Sequence, residues 1–291
     1  MDDLLDDLLF AYGPDLEREY SPSSVAADFA ESVARYRSLS DEALRSFSWQ
    51  HMAYGPGVDE VVVLAGDIRS ARHVHLFIHG GYWQELSWKD ALFPARGFTS
   101  EGITYGAINY SLAPLVTLDQ ILDQCCRAIL AVTRATQQAG LKARISLSGS
   151  SAGAHLAAMM ALSDWSSVGL AVNPVSALIL MSGIYALRPL THTSINAALG
   201  LRISDADRLS PLLLPARATC PTLIAWGQFE TAAFKSQSKL FATHWETSGN
   251  YITALEISGK SHFDIVFDLS DEGTELGRHT FQLLREDYKQ S

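Results

Sequence analysis

The chain has only three cysteines in 291 residues, Cys125, Cys126 and Cys220. They cannot all pair with one another and lack the spacing of a metal-binding set. A disulfide framework and a zinc module are therefore not expected, and reduced thiols in a cytoplasmic protein are. Basic residues are few and scattered, 22 Lys and Arg against 32 Asp and Glu, for a net charge of −10. Without a concentrated positive stripe, nucleic acid is not an expected partner. Long apolar runs are also missing. No segment reaches the ~18 or more uninterrupted apolar residues of a membrane span. The opening Met1-Asp2-Asp3-Leu4-Leu5-Asp6-Asp7 has no basic region of the kind that starts a signal peptide. Tandem repeats and low-complexity linkers are absent from the sequence as well.

What remains is a globular composition, 47% hydrophobic and 19% charged, long enough for one large domain over residues 1–291. The first ten residues fit either a short amphipathic helix, lying over a pocket or against a second copy in a homodimer, or a frayed tail. Helices are expected over Ser24 to Tyr36 and Asp41 to Phe47, with Ser40 as a cap for the latter, so that a helical segment fills about residues 1–50. From residue 59 the pattern alternates. Strands are expected at 61–64, 73–78, 104–109, 144–147, 177–181, 221–226 and 252–257, and helices at 118–139, 152–162 and 272–284. Short apolar strands separated by helical stretches call for an α/β fold, a mostly parallel central sheet with helices on both faces. Such a sheet binds ligands beyond the C-terminal ends of its strands. The stretch 186–214 breaks the rhythm and fits either a small helical lid or an ordinary long crossover.

Gly149-Ser150-Ser151-Ala152-Gly153 reads G-x-S-x-G between an expected strand and a helix of small residues. This is the turn that holds a serine hydroxyl up at a sheet edge, and it makes Ser151 the candidate nucleophile. Acyl transfer builds negative charge on the carbonyl oxygen, so fixed N–H donors must face it. The Ala152 amide is one candidate. The amides of Gly81 and Tyr82 are the others, in the loop His79-Gly80-Gly81-Tyr82-Trp83 after the second strand. His79 is expected to brace that loop rather than to react, and His155 to pack on the nucleophile helix.

The nucleophile needs a base and the base a carboxylate, in the chain order Ser, Asp or Glu, His. His262 alone among the later histidines lies in a loop just after an expected strand, which makes it the candidate base. Glu230 is the carboxylate in the loop after the strand 221–226, and Asp264 is its rival. Tyr82, Trp83, Tyr185, Arg188 and Phe229 are candidates for the pocket walls, with Arg188 as a partner for a substrate carboxylate. No cofactor and no metal are implied. A hydrolase-fold protein that only bound its ligand would be expected to have lost the serine, the base or the loop, and all three are present.

The segments Phe77 to Trp83, Asn109-Tyr110-Ser111-Leu112-Ala113-Pro114 and Gly149 to Ala158, with Tyr20-Ser21-Pro22-Ser23 and Ala53 to Gly57 upstream, resemble the arylformamidases. These kynurenine formamidases are placed among the hormone-sensitive-lipase-like α/β hydrolases. The resemblance spans roughly residues 18–285, and His79-Gly80-Gly81-Tyr82-Trp83 is its most specific part. It implies the α/β-hydrolase fold, Ser151, Glu230 and His262 as the triad, and hydrolysis of an N-formyl arylamine such as N-formyl-L-kynurenine. The chain departs from familiar members in reading Gly-Ser-Ser-Ala-Gly-Ala at the elbow, where they often read Gly-His-Ser-Ala-Gly-Gly. It also offers glutamate where aspartate is common. A carboxylesterase for small or aryl esters, or an amidase for another acyl amide, would use the same apparatus.

Overall fold

A computed structural model describes residues 11–215 and 220–286. The ten leucine-rich and acidic residues at the start, and any role for them over a pocket or in a dimer, lie outside the described residues. Eight strands make one sheet: β1 (Trp49–Ala53), β2 (Val61–Ala65), β3 (His73–Ile78), β4 (Thr104–Ile108), β5 (Arg144–Ser150), β6 (Val175–Met181), β7 (Thr222–Gly227) and β8 (Ile252–Ile257). Their order is β1-β2-β4-β3-β5-β6-β7-β8. β2 runs antiparallel to both of its neighbours and all other pairs are parallel.

The longer helices are α1 (Phe29–Ser46), α2 (Leu118–Gln138), α3 (Ala152–Leu162), α4 (Ala232–Thr247) and α5 (Glu275–Glu286). Strand side chains alternate between the two faces of the sheet. Val74, Leu76 and Ile78 of β3 join a core with residues of α2, α3 and α4. Phe77, from the same strand, joins a second core with Tyr36, Ala43, Phe98, Leu276 and Phe281 on the α1 and α5 side. Two covered faces explain why the inner strands are apolar along their length. None of the helices among the described residues is long and apolar enough to cross a membrane.

Three expectations are corrected. The two helices expected at 24–36 and 41–47 are one continuous α1. Ser40 is therefore no cap; it is buried in mid-helix, and its Oγ accepts from the Leu92 amide at 3.0 Å. The edge strand β1 has no counterpart in the sequence reading. Its residues are exposed or half-buried and paired on one side only, so no apolar run marks it.

Not all of the sheet's interior is apolar. Arg144 Nη2 donates to His73 Nδ1 at 2.9 Å, and His73 Nε2 lies 2.8 Å from Ser146 Oγ. That hydroxyl is 2.8 Å from His75 Nδ1, and His75 Nε2 is 2.7 Å from Ser148 Oγ. A guanidinium can only donate, so His73 accepts at Nδ1 and donates from Nε2. Ser146 then donates to His75, which donates to Ser148. The ladder has one polarity from end to end, and it ties β3 to β5 in the register that places the loop after β3 beside Ser151. Its aromatic neighbour is Phe98, whose ring stacks on His75 at 4.0 Å.

Two predictions follow from these buried rings. Ser146→Ala strands two imidazole nitrogens out of reach of water, at a cost of about 2–4 kcal/mol in urea unfolding. Burial and the Arg144 charge push His73 down to about 3, and burial with the neighbouring His73 pushes His75 well below 6.5. Burial also lowers His79 and His155 to about 4 against their backbone hydrogen bonds. The unfolded chain takes up these protons near 6.5 and the folded chain refuses them. Stability is thus fully present above about pH 6.5 and falls as pH drops toward 4, by up to ~1.4 kcal/mol per pH unit for each such ring. Unfolding measured across that range should show the loss, and His155→Asn should flatten the slope.

Candidate active site

Ser151 lies between β5 and α3 with φ of 57° and ψ of −120°. A non-glycine residue in that region is strained, by an amount on the order of 1–3 kcal/mol, and persists only where its surroundings enforce it. Here its amide donates to the Met181 carbonyl at 2.8 Å, and α3 begins at once. The helix is apolar all round and ten of its eleven residues are buried. Its small residues let it lie directly on the sheet. A Cβ at Gly153 would stand 2.0 Å from the Ile78 carbonyl oxygen, and one at Gly80 would stand 2.8 Å from that of Ser150. The elbow and the loop after β3 therefore touch backbone to backbone.

That loop holds three consecutive residues at positive φ: Gly81 at 90°, Tyr82 at 49° and Trp83 at 61°. The Gly81 carbonyl accepts from the amides of Gln84 and Glu85, both at 2.9 Å, and the Trp83 carbonyl accepts from Ala113 at 2.8 Å. The Tyr110 hydroxyl donates to the His79 carbonyl at 2.9 Å while its ring stacks on His79 at 4.2 Å. His79 Nδ1 is 3.0 Å from the Gly80 carbonyl, so this histidine braces the loop. Among the described residues, the amides of Gly81, Tyr82 and Ala152 donate to no other group.

β7 and β8 deliver the other two candidates side by side. His262 Nδ1 lies 3.2 Å from Glu230 Oε2, with both side chains buried. A carboxylate can only accept, so Nδ1 carries the proton and Nε2 is left for the nucleophile. Glu230 Oε1 also accepts from the Gly227 amide at 2.5 Å and from Ser182 Oγ at 2.6 Å. Asp264 instead accepts from the Ser261 amide at 2.6 Å, and no hydrogen bond joins its carboxylate to His262. Ser182, buried and held at φ of 54° after β6, was not foreseen. A polar residue directly after an apolar strand, at the functional edge of the sheet, is the signal that would have found it.

Ser151, His262, Gly80, Gly81 and Tyr82 line one cavity of about 260 Å³. Its walls are largely aromatic, with Phe29, Tyr36, Phe77, Phe93 and Phe263. None of the four other pocket candidates is among the lining residues. Trp83 is fully buried beneath the loop, its ring edge against His155 at 5.1 Å. Tyr185 is buried and stacks on Phe241 at 4.1 Å. Arg188 is held by Asp207 at 2.9 and 2.8 Å, and Phe229 is 57% exposed, away from the cavity. All four lie at the right end of the sheet, but packing or ion pairing turns them elsewhere.

The segment 186–214 folds into short helical turns and reaches the cavity only through Ile195. Much of one cavity wall comes from the N-terminal region instead, through Ser21, Pro22, Phe29, Val33 and Tyr36. This region also ties the three loops together. The Tyr82 hydroxyl donates to the Tyr20 carbonyl, the Thr231 hydroxyl to the Glu19 carbonyl at 2.6 Å, and the Ser261 hydroxyl to Asp28 at 2.8 Å. Thr231 and Ser261 are the immediate neighbours of Glu230 and His262.

Residues 75–265 match the alpha/beta hydrolase fold family. The chain is 31% identical to a kynurenine formamidase of Salmo salar over 88% of its length and 91% of that protein's. It is also 31% identical to one of Danio rerio over 96% of each chain. Among solved structures, a Silicibacter sp. TM1040 protein provisionally called a thioesterase superposes with a TM-score of 0.81 at 24% identity, over 91% of this chain and 98% of that one. An esterase of Pyrobaculum calidifontis superposes with a TM-score of 0.68 at 16% identity, over 99% and 98%. These likenesses carry the fold.

If Glu230 orients the base, Glu230→Gln should lower kcat on p-nitrophenyl acetate by about 10²-fold or more, whereas Asp264→Asn should stay within about threefold. Ser182→Ala should fall between them. Steady-state kinetics on the three variants checks the order, and a larger loss in the Asp264 variant would move the carboxylate role there.

Proposed function

The chain belongs to the alpha/beta-hydrolase family as a serine-hydrolase-type enzyme for ester or amide substrates, and on that premise we propose that it cleaves the formamide bond of N-formyl arylamines such as N-formyl-L-kynurenine. The observation that carries this reading is the shared cavity: Ser151 and His262 face one aromatic-walled space, and His262 is backed by the buried Glu230. The whole-length likeness to two kynurenine formamidases supports the choice of a formamide.

In this mechanism Ser151 Oγ attacks the formyl carbon while His262 Nε2 takes its proton. The oxygen that becomes negative is received by the amides of Gly81, Tyr82 and Ala152, which are held in place before the reaction and cost no reorganisation. His262 returns the proton to the departing arylamine, leaving a formyl ester on Ser151. A water, deprotonated by His262, attacks that ester, and formate leaves as Ser151 regains its proton. Glu230 stabilises the imidazolium at each transfer. The cavity walls hold the aryl group, and the formyl end needs little room beside the elbow.

A second reading is a carboxylesterase for small aryl esters. It is favoured by one observation: among the described residues lining the cavity there is no lysine or arginine to meet the carboxylate of an amino-acid substrate.

The deciding measurement is kcat/KM on N-formyl-L-kynurenine beside p-nitrophenyl acetate, with Ser151→Ala as the blank. A formamide value of about 10⁴ M⁻¹s⁻¹ or more, lost by about 10⁴-fold in the variant, is the expected result. Ester hydrolysis with negligible formamide turnover would select the second reading.

A further inference from the structure

We infer that the cavity ranks aryl leaving groups by the net charge of their side chain, a lone ammonium above a zwitterion and a zwitterion above a lone carboxylate, with Glu85 as the specificity-determining residue; the inference rests on the serine-hydrolase reading of the site. The cavity's charge is one-sided. Two of its lining residues are carboxylates, Glu85 and Asp90, and none among the described residues is a lysine or arginine.

The two carboxylates are not equivalent. Asp90 is already engaged: it is buried, accepts from Arg37 Nε at 2.8 Å, and accepts from the Ser87 amide and hydroxyl at 3.0 and 3.1 Å. Its charge is neutralised from within the protein. Glu85 is exposed, and among the described residues its carboxylate has no ion pair and no hydrogen bond. It is a cavity-lining carboxylate with no cation paired to it among the described residues.

Its backbone is anchored to the same loop. The Glu85 amide donates to the Gly81 carbonyl at 2.9 Å, closing the turn that contains the oxyanion amides. A substrate whose carbonyl oxygen sits on Gly81 and Tyr82 therefore has Glu85 four residues further along the same braced loop. The walls favour the same sign of charge. Phe29, Tyr36, Phe93 and Phe263 present aromatic rings, which attract a cation and offer nothing to a carboxylate. A substrate carboxylate would lose hydration and meet Glu85, while an ammonium group would find both a counter-charge and π-faces. The net charge of −10 acts in the same direction on approach.

Three formamides that share one ring and differ in charge test this: N-formylkynurenamine, bearing only the ammonium; N-formyl-L-kynurenine, the zwitterion; and 4-(2-formamidophenyl)-4-oxobutanoate, bearing only the carboxylate. Expected kcat/KM falls in that order. Glu85→Gln should shrink the ratio of the first to the third by roughly three- to fivefold, the size of a partly exposed ion pair, and added salt should shrink it in the native protein. A native preference for the carboxylate probe, or a ratio that Glu85→Gln leaves unchanged, overturns the inference. The same comparison with phenyl acetates bearing 4-aminomethyl, 4-methyl and 4-carboxymethyl groups separates the two levels. Inert formamides with esters that keep the charge order and its dependence on Glu85 would remove the formamidase reading and leave the inference standing. Hydrolysis of neither series would overturn both.

Discussion

The contact on which the site depends is between two backbones. Helix α3 runs so close to the end of β3 that Gly153 lies against the Ile78 carbonyl, and Gly80 in turn lies close to the Ser150 carbonyl. No side chain fits between them, so the elbow that presents Ser151 and the loop that offers the Gly81 and Tyr82 amides form one rigid unit. The unusual backbone angles at Ser151, Tyr82 and Trp83 are the local cost of that closeness, offset by the buried helix and the packed cores.

Register maintains the arrangement from below. The hydrogen-bonded series Arg144, His73, Ser146, His75 and Ser148 links the two strands that lead into the elbow and the loop. A one-residue slip of β3 against β5 would turn His73 and His75 to the opposite face and break every bond of the series. The ladder thus opposes misalignment more strongly than interchangeable aliphatic contacts would. Above the sheet the N-terminal region does the complementary work, joining the loops after β3, β7 and β8 through Tyr20, Glu19 and Asp28.

The candidate site combines a preorganised, hydrogen-bonded centre with an unpaired carboxylate among the residues that line the cavity. The groups around Ser151 are backbone amides and a buried histidine–glutamate pair, suited to a charge that appears only during the reaction. In the proposed mechanism Glu85 and the aromatic walls act on the part of the substrate that does not react, so that chemistry and selection would reside on different residues of the same loop system.

Sequence by itself determined the alternating strands, the parallel sheet and the positions of Ser151, Glu230 and His262 relative to the strand ends. These follow from local rules: apolar strands must be buried on both faces, a G-x-S-x-G turn needs its small residues, and chain order limits which histidine and carboxylate can follow. Tertiary structure alone decided the rest. Trp83, Tyr185, Arg188 and Phe229 stand at the right end of the sheet, yet core packing, the Asp207 ion pair or solvent takes each of them away from the cavity. Conversely, Phe29, Tyr36 and Phe93 read as ordinary helix and loop residues and become its walls because α1 folds back over the strand ends. The β1 strand left no apolar run because it is an exposed edge, and the Ser182 partner on Glu230 appears only once β6 and β7 lie side by side. A local pattern records how a segment prefers to fold, whereas a pocket wall is defined by side chains far apart in the chain that only the packed layers bring together.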